Sequence, residues 1–196
     1  TCRAITINRE TRRPTINEEF FYNWNEVSVY VLGWILSDGC IFGNALMFGI
    51  GRKDREHLQK ILMAMGSDAP IYDSGEGHPS SYGKGGLYAT VYSKSTCFRL
   101  RELGITERKS LTADLDWQAI PKNLHPHLFR GIVDGDGSIG KYKKSDMIRP
   151  SWWLSLCGSR PVVTAFRDFV FEQTLRNVNV HPDRNIWGVR YSGNRA

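Results

Sequence analysis

The sequence predicts an α+β fold made of two similar halves, each with a four-stranded antiparallel sheet and helices on one face. Three observations lead to this prediction. One segment recurs 98 residues along the chain, the stretches after both copies alternate between strand-like and helix-like patterns in the same order, and 196 residues suffice for two small cores. Hydrophobic residues at 41% and aromatic residues at 12% are typical of a folded protein.

Residues 1–24 are predicted to form a leader before the first half. Its second part, residues 17–21, has an asparagine and two acids directly before two phenylalanines. A polar residue followed by early acids favours a helix start, so we expect a short helix there.

The repeated segment follows and is predicted to be a helix in both copies. It covers residues 30–41 and 128–139, and aligned pairs such as Gly33 with Gly131 and Asp38 with Asp136 are 98 residues apart. Both helices are expected to end at an Asp-Gly pair. A single Asp-Gly is usually only a cap and turn. Two in register indicate a shared role.

Strands and helices follow both copies in the same order. In the first half we predict strands at 46–50 and 87–92, a helix at 52–65 and a closing helix at 95–103 that ends at Gly104. In the second half we predict strands at 152–157 and 187–191 and a helix at 161–175 with Pro161 in its first turn. The glycine-rich residues 75–86 are expected to form a loop or hairpin tip.

These elements divide the chain after the leader into a first half at residues 25–119 and a second half at residues 120–196. The sequence ends at Ala196. The second half is therefore expected to lack the closing helix of the first.

Small residues on the repeated helices predict that the two halves meet there. Gly33 and Ser37 are four residues apart, and the same spacing separates Gly131 from Gly135, so each pair lies on one helix face. Small residues on one face let two helix backbones approach closely. The aspartates that end both helices would then lie side by side at the negative ends of two helix dipoles. A divalent cation with oxygen ligands, Mg²⁺ or Ca²⁺, would neutralise them.

The overall charge predicts a polyanionic partner. The chain has 26 Lys and Arg against 20 Asp and Glu, a net charge of +6 and a pI near 9.2. It contains no apolar run of about 18 residues and no signal-peptide pattern at its start, so we expect a soluble, intracellular protein. Its four cysteines are far apart, which argues against a disulfide framework or a zinc site.

At this point the residues carry a family resemblance. The two repeated segments resemble the signature helices of LAGLIDADG homing endonucleases in their single-chain, two-motif form. Residues 20–24 before the first motif, and residues 108–110 and 120–121 before the second, are also similar to the family. The resemblance implies a monomeric, site-specific endonuclease whose two sheets form a saddle over the DNA major groove. It also implies Mg²⁺-dependent cleavage of both strands, with Ca²⁺ or Mn²⁺ able to substitute in the site, leaving short 3′ overhangs.

The resemblance also assigns roles at the helix ends. Asp38 and Asp136 would hold the metal, and the backbone carbonyls of Ser37 and Gly135 would add ligands. Asp134 has no such role, because its counterpart in the first half is a leucine.

Basic and polar residues outside the motifs complete the expected site. The family places a polar residue before the second helix of each half, and those positions are Arg52 and Ser159, followed by Lys53 and Arg160. A basic residue near the end of the fourth strand assists catalysis in the family, and Lys94 and Arg190 are the candidates. We expect Arg52 to assist catalysis as well as to contact DNA. Further candidate DNA contacts, for which a solvated loop is the alternative, are Lys141, Lys143, Lys144 and Arg149. In the leader, Arg9, Arg12 and Arg13 are either a DNA-contacting arm or solvated charge.

Other functions fit the same fold. A non-enzymatic DNA-binding regulator would be expected where the acids are lost, but both acids are present. An RNA maturase role is compatible with the sequence. An intein would need a terminal His-Asn pair, which the sequence lacks.

Overall fold

The described residues of the first half form three helices and four strands. The computed structural model describes residues 14–73, 75, 86–143 and 150–193. In chain order, the elements of the first half are α1 (Glu26–Asp38), β1 (Gly39–Phe42), β2 (Ala45–Ile50), α2 (Arg55–Ala64), β3 (Tyr72–Asp73), β4 (Leu87–Tyr92) and α3 (Lys94–Glu102). A 3-10 turn at Arg52–Asp54 leads into α2.

The second half repeats this order as far as its fourth strand. A short helix, α4 (Lys109–Thr112), and two 3-10 turns at Trp117–Ala119 and Lys122–Leu124 connect the halves. The elements that follow are α5 (His125–Asp136), β5 (Gly137–Tyr142), β6 (Ser151–Gly158), α6 (Arg160–Thr174), β7 (His181–Asp183) and β8 (Ile186–Gly193). The predicted α+β fold with two similar halves is confirmed.

Each half builds one antiparallel sheet with the same strand order. The orders are β1-β2-β4-β3 and β5-β6-β8-β7, so the fourth strand of each half lies inside the sheet and the short third strand lies at its edge. Gly39 pairs with Phe48 in the first sheet, and Gly137 pairs with Leu156 in the second. Both sheets therefore start at the helix ends that carry the two aspartates.

The first helix has a well-defined start. The Asn25 side chain accepts hydrogen bonds from two backbone N–H groups of the first turn, and the Ser28 hydroxyl accepts one from the Asn25 N–H. This reciprocal capping box satisfies donors that a helix start leaves unpaired. α5 begins instead with Pro126 in its first turn, where a missing N–H costs nothing.

The leader departs from the prediction. Residues 18–22 form turns rather than a helix, and Phe20 and Phe21 are buried in the common core. The described part of the leader is thus part of the fold, because burial of two phenylalanine rings outweighs the weak helix signal. The basic cluster at Arg9, Arg12 and Arg13 lies outside the described residues, as does most of the glycine-rich stretch at 75–86.

The two sheets differ in how well their helix-side faces are covered. Ile41 is 1% exposed, whereas its counterpart Ile139 is 65% exposed. Leu46 is buried, whereas Leu154 is half-buried. In the first half α3 packs against β2, and β8 is the last described element of the second half.

Within the described residues, every helix is too short or too polar to cross a lipid bilayer.

Candidate active site at the paired helix ends

The two repeated helices pack in parallel with their backbones in contact. A Cβ atom at Gly33 would overlap the backbone oxygen of Leu128, and a Cβ at Gly131 would overlap that of Tyr30. Gly135 in turn lies directly against the Ser37 side chain. The small-residue faces predicted from the sequence therefore form the interface, and α1 and α5 end at the same level.

This packing brings the two aspartates to one place. Asp38 is half-buried, and Asp136 is exposed. Desolvation by the surrounding protein raises the pKa of both carboxyls, and the negative charge of Asp38 raises that of Asp136 further. Neither rise is cancelled by the opposing positive charge of Lys109, so the folded chain disfavours two ionised carboxylates here.

Lys109 is a buried lysine that interacts electrostatically with both acids. Its side chain belongs to α4 in the connection between the halves and is only 8% exposed. Its Nζ donates a hydrogen bond to the backbone carbonyl of Ser37, near the C-terminus of α1. Burial lowers the pKa of Lys109, while the charges of Asp136 and Asp38 oppose that change. The ammonium thus neutralises one of two adjacent carboxylates and the negative end of a helix.

A closed loop carries Lys109 to this position. Gly104 has a φ of +90°, and a Cβ there would overlap the backbone oxygen of Asp114, so only glycine allows the loop to close. At the far side of the loop, the Ser159 hydroxyl donates to the Ala113 carbonyl at 2.5 Å. The connection is therefore anchored to α3 at one end and to the start of α6 at the other.

A cleft of about 530 Å³ opens beside Asp38 in the first half. Its walls come from α1, from the end of β2, from α2 and from the end of α5. Lys53, Asp54 and His57 line its first-half side, and Gly135 lines its second-half side. Desolvation has the largest effect on the pKa of Asp38 and raises it, while electrostatic interactions with Lys109 and His57 lower it.

The donor set at the helix ends fits a divalent cation. Two carboxylates and one ammonium leave a charge of about −1 beside two helix C-termini, which favours a further cation. The available donors are carboxylate and carbonyl oxygens, which suit Mg²⁺ or Ca²⁺. Among the described residues, no third His, Cys, Asp or Glu side chain joins the two aspartates in a metal-binding group. Remaining ligands would have to come from backbone carbonyls, water or a bound substrate.

The architecture matches solved structures. No protein-family model and no curated protein matches the sequence. The LAGLIDADG meganuclease I-AabMI bound to uncleaved DNA matches with a TM-score of 0.55 and 14% identity, over 87% of this chain and 79% of its own. I-SmaMI bound to an uncleaved DNA target in the presence of calcium ions matches with a TM-score of 0.54 and 13% identity, over 87% and 80%. The N-terminal LAGLIDADG domain of WhiA matches with a TM-score of 0.51 and 13% identity, over 90% and 81%.

The chain has the LAGLIDADG fold. Its helices α1 and α5 are the two LAGLIDADG helices, and their backbones meet at Gly33 and Gly131.

The residues predicted before the second helix of each half have different surroundings. Arg52 makes a two-fold hydrogen bond to the Asp73 carboxylate, at 2.9 and 2.8 Å, and Lys53 lines the cleft beside Asp38. Ser159 is 2% exposed and its hydroxyl is engaged with the connection between the halves. We therefore leave Ser159 out of the DNA-contacting set and assign it to the support of the Lys109 loop.

The two strand-end candidates are not equivalent. Lys94 begins α3, beyond the end of β4 that pairs with Ala45, so it lies at the opposite end of the sheet from Asp38. The structure does not bring it to the helix ends. Arg190 lies in the same row of the second sheet as Ser138, two residues after Asp136, and its guanidinium lies over the Trp153 ring at 4.5 Å.

The remaining basic candidates lie on different surfaces. Lys141 lies in register with Trp152, and strand alternation puts both on the same face as Leu156, which is the helix side of the second sheet. That face is turned away from the open side of the sheet. Lys143 is exposed just after β5, and Arg160 lies over the Trp187 ring at 4.6 Å. Lys144 and Arg149 lie outside the described residues.

Two residues of the site were missed by the sequence analysis. Lys109 has no repeat partner in the other half and lies in a segment without helical or strand periodicity. Its position in the short stretch before the second motif was the only signal for it. The chain has five scattered histidines. His57 is in a segment predicted to be an amphipathic helix, where a histidine is usually only a surface residue.

Proposed function

We propose that this chain is a site-specific homing endonuclease that hydrolyses both strands of a long DNA target with a divalent metal and leaves short 3′ overhangs. The observation that carries the proposal is the convergence of Asp38 and Asp136 with the buried Lys109 at the ends of the two LAGLIDADG helices. Two carboxylates and an ammonium at one point suit the hydrolysis of a phosphodiester.

Known structures with this fold support the proposal. I-AabMI and I-SmaMI are meganucleases that were solved on uncleaved DNA, and I-SmaMI was solved with calcium ions. We extend DNA as substrate and a divalent metal as cofactor to this chain because its two aspartates and their donor set fit that chemistry.

In the proposed mechanism the two aspartates would hold a divalent metal. Bound there, Mg²⁺ would supply Lewis-acid activation of the phosphate and of water. Asp38 and Asp136 would bind it through their carboxylate oxygens, and the backbone carbonyls of Ser37 and Gly135 would add ligands. Lys109 stabilises negative charge that develops on the scissile phosphate, because its ammonium is desolvated and is held by Ser37. The pseudo-twofold arrangement matches the two strands of a duplex.

We place the DNA on the open faces of the two sheets. On the first sheet this face is mostly uncharged and aromatic, with Phe42 and Tyr92 exposed. On the second sheet it carries Ser138, Trp153 and Arg190. Arginine reads guanine in the major groove, and exposed rings contact thymine methyl groups. Basic residues at the rims, namely Arg52, Lys53, Lys143 and Arg160, would contact phosphates.

A cleavage selection tests the proposal. The chain is incubated with a randomised duplex library and Mg²⁺, beside the Asp38→Asn Asp136→Asn double variant. We expect cuts on both strands within one long sequence motif, which disappear in the double variant and in EDTA. Robust cutting by the double variant would refute the assignment of the acids.

The same selection distinguishes the endonuclease from two alternative functions. If neither form cuts, but both retain one duplex selectively, the chain is a DNA-binding regulator on the same fold. Retention of a structured RNA in preference to every duplex would instead indicate a maturase.

A further inference from the structure

The two halves differ in what surrounds their aspartates. In the first half, Tyr30 from α1, His57 from α2 and Asp134 from α5 line the cleft beside Asp38. The Tyr30 hydroxyl donates to Asp134 Oδ2 at 2.8 Å and lies 3.4 Å from His57 Nε2. The Arg130 guanidinium covers the Tyr30 ring at 4.5 Å from its centre. We call Tyr30, His57, Asp134 and Arg130 the His57 cluster.

Apolar side chains stand at the equivalent positions of the second half. The 98-residue offset between the LAGLIDADG helices relates α1 to α5. The helix starts, rather than the sequence match of Arg52 with Ser159, relate α2 to α6. Because α2 begins at Arg55 and α6 at Arg160, His57 corresponds to Val162. The counterparts of Tyr30, His57, Asp134 and Arg130 are, in order, Leu128, Val162, Leu36 and Leu32, and all four are buried. Among the described residues, the polar cluster is thus found beside Asp38 and has no equivalent beside Asp136.

The hydrogen bonds of Tyr30 require a proton on Nε2 of the His57 ring. Tyr30 has one hydroxyl proton, which the Asp134 carboxylate accepts, so the Tyr30 oxygen is left to accept from His57 Nε2. A neutral imidazole with its proton on Nε2 carries a lone pair on Nδ1. The ring also packs edge-on against Trp34, with centres 5.2 Å apart, which helps to fix its orientation.

We propose that His57 accepts the proton of the water that attacks the scissile phosphate of the strand served by the first half. This role rests on the proposed endonuclease function. As the water oxygen bonds to phosphorus, its proton moves to His57 Nδ1. The bond from phosphorus to the 3′-oxygen breaks, and that oxygen takes a proton from solvent. Tyr30 and Asp134 are positioning residues that hold the imidazole.

The inference has a consequence for the order of cutting. The matching positions beside Asp136 hold only the apolar residues named above, so the strand served by the second half reacts without this acceptor. General-base assistance commonly accelerates a step by about 10²–10⁴-fold. The chain should therefore nick one strand first, and always the same strand.

The test is single-turnover cleavage of a target duplex taken from the library selection, with a different label on each strand. We expect His57→Gln to slow cutting of the faster strand by at least about tenfold, while the rate on the other strand stays within about twofold. Tyr30→Phe should lower the same rate by a smaller factor. The matched control is His127→Gln, near the start of α5 and far from the helix ends, which should leave both rates unchanged.

Each outcome decides the inference. Equal slowing of both strands by His57→Gln, or no slowing, would overturn it. Thermal unfolding and DNA binding of each variant identify a loss that comes from misfolding, and Tyr30→Phe then provides the second decision. If the wild-type chain cuts no duplex at all, the proposed function has failed instead, because the His57 inference concerns only how a cutting chain divides its rate between strands.

Discussion

At the scale of single residues, Lys109 controls the charge of the site. Among the cations that lower the pKa of the two aspartates, it has the largest effect on both, and it also binds the C-terminus of α1. Its position depends on a loop of the connection rather than on either motif. The site therefore needs three elements of the chain, not two.

Replacing Lys109 should remove catalysis but leave DNA binding. Lys109→Gln keeps a donor for the Ser37 carbonyl and loses the charge. We expect cleavage to fall by about 10²–10³-fold, the usual loss for one charge-stabilising donor. Single-turnover rates and binding by anisotropy measure both effects. Lys60→Gln, an exposed lysine on α2, is the control. Equal losses in both variants would contradict a specific role.

The ionised carboxylate of Asp136 should lower the free energy of unfolding of the metal-free chain at neutral pH. Its folded pKa lies above the ordinary value of 3.8, so the fold favours the protonated form. The stabilisation that comes from the protonated carboxyl is fully present below pH 3.8 and is lost as pH rises through the folded pKa. Asp136→Asn should therefore be more stable than wild type at about pH 7.5 in EDTA.

Urea unfolding at several pH values checks this sign. The difference between Asp136→Asn and wild type should shrink as pH falls towards 3.8. Glu172→Gln removes an exposed carboxylate on α6 and should show no comparable gain. An Asn variant that is less stable than wild type at neutral pH would contradict the argument. Added Mg²⁺ should stabilise only the wild-type chain.

The sequence made some of these residues predictable and hid others. Asp38 and Asp136 could be found because each repeats the other, and register turns a weak signal into a strong one. Lys109 has no repeat partner, and its burial follows from loop closure at Gly104, which no local pattern encodes. His57 requires the contact with Tyr30, which is 27 residues away in the chain.

At the scale of elements, contact between α1 and α5 determines where the aspartates lie. Alanine at position 33 would gain up to about 1 kcal/mol in helix propensity. The added methyl would overlap the Leu128 backbone oxygen, which a side-chain rotation cannot move. We expect Gly33→Ala to lower the free energy of unfolding by about 1–3 kcal/mol, the usual cost of overpacking, and to reduce cleavage.

A second glycine provides the comparison for that experiment. A methyl group added at Gly158, at the end of β6, would have Val163 Cγ2 as its nearest neighbour, at 3.8 Å. Gly158→Ala should change the free energy of unfolding by less than about 0.5 kcal/mol. If both variants unfold alike in urea, close approach of the helices is not what limits position 33.

The helix-side faces of the two sheets should respond differently to the same change. Ile41→Ala removes buried methyl groups and should cost about 2–5 kcal/mol of unfolding free energy. Ile139→Ala removes groups that are already in water and should cost less than about 0.5 kcal/mol. Urea midpoints of the two variants test this. Comparable losses would mean that Ile139 is covered in solution.

Elements were more predictable than their boundaries. Strands and long helices followed from hydrophobic periodicity and from agreement between the halves, including Pro161 at the start of α6. The short helix predicted in the leader was wrong, because the burial of two phenylalanines outweighs a short polar helix signal. β3 and β7, with two and three residues, are too short to show a period of two.

At the scale of the whole molecule, charge and shape should act together in DNA binding. Affinity for a selected target should fall steeply with salt, by at least about 10³-fold between roughly 50 and 200 mM if six or more phosphates are contacted. Anisotropy with the Asp38→Asn Asp136→Asn variant measures binding without cutting. An affinity that does not change with salt would contradict contact through the basic rims.

Because Lys109 belongs to the connection between the halves, the number of connections determines how many lysines reach the paired helix ends. A homodimer made from two copies of the second half would bring two carboxylates together and no lysine. A homodimer made from two copies that each carried the connection would bring two lysines and a neutral set of charges. Only fusion into one polypeptide supplies a single connection, and with it an odd number of charges at the axis. Joining the two halves through one connection thus determines the charge of the proposed catalytic centre as well as the number of polypeptides that form it.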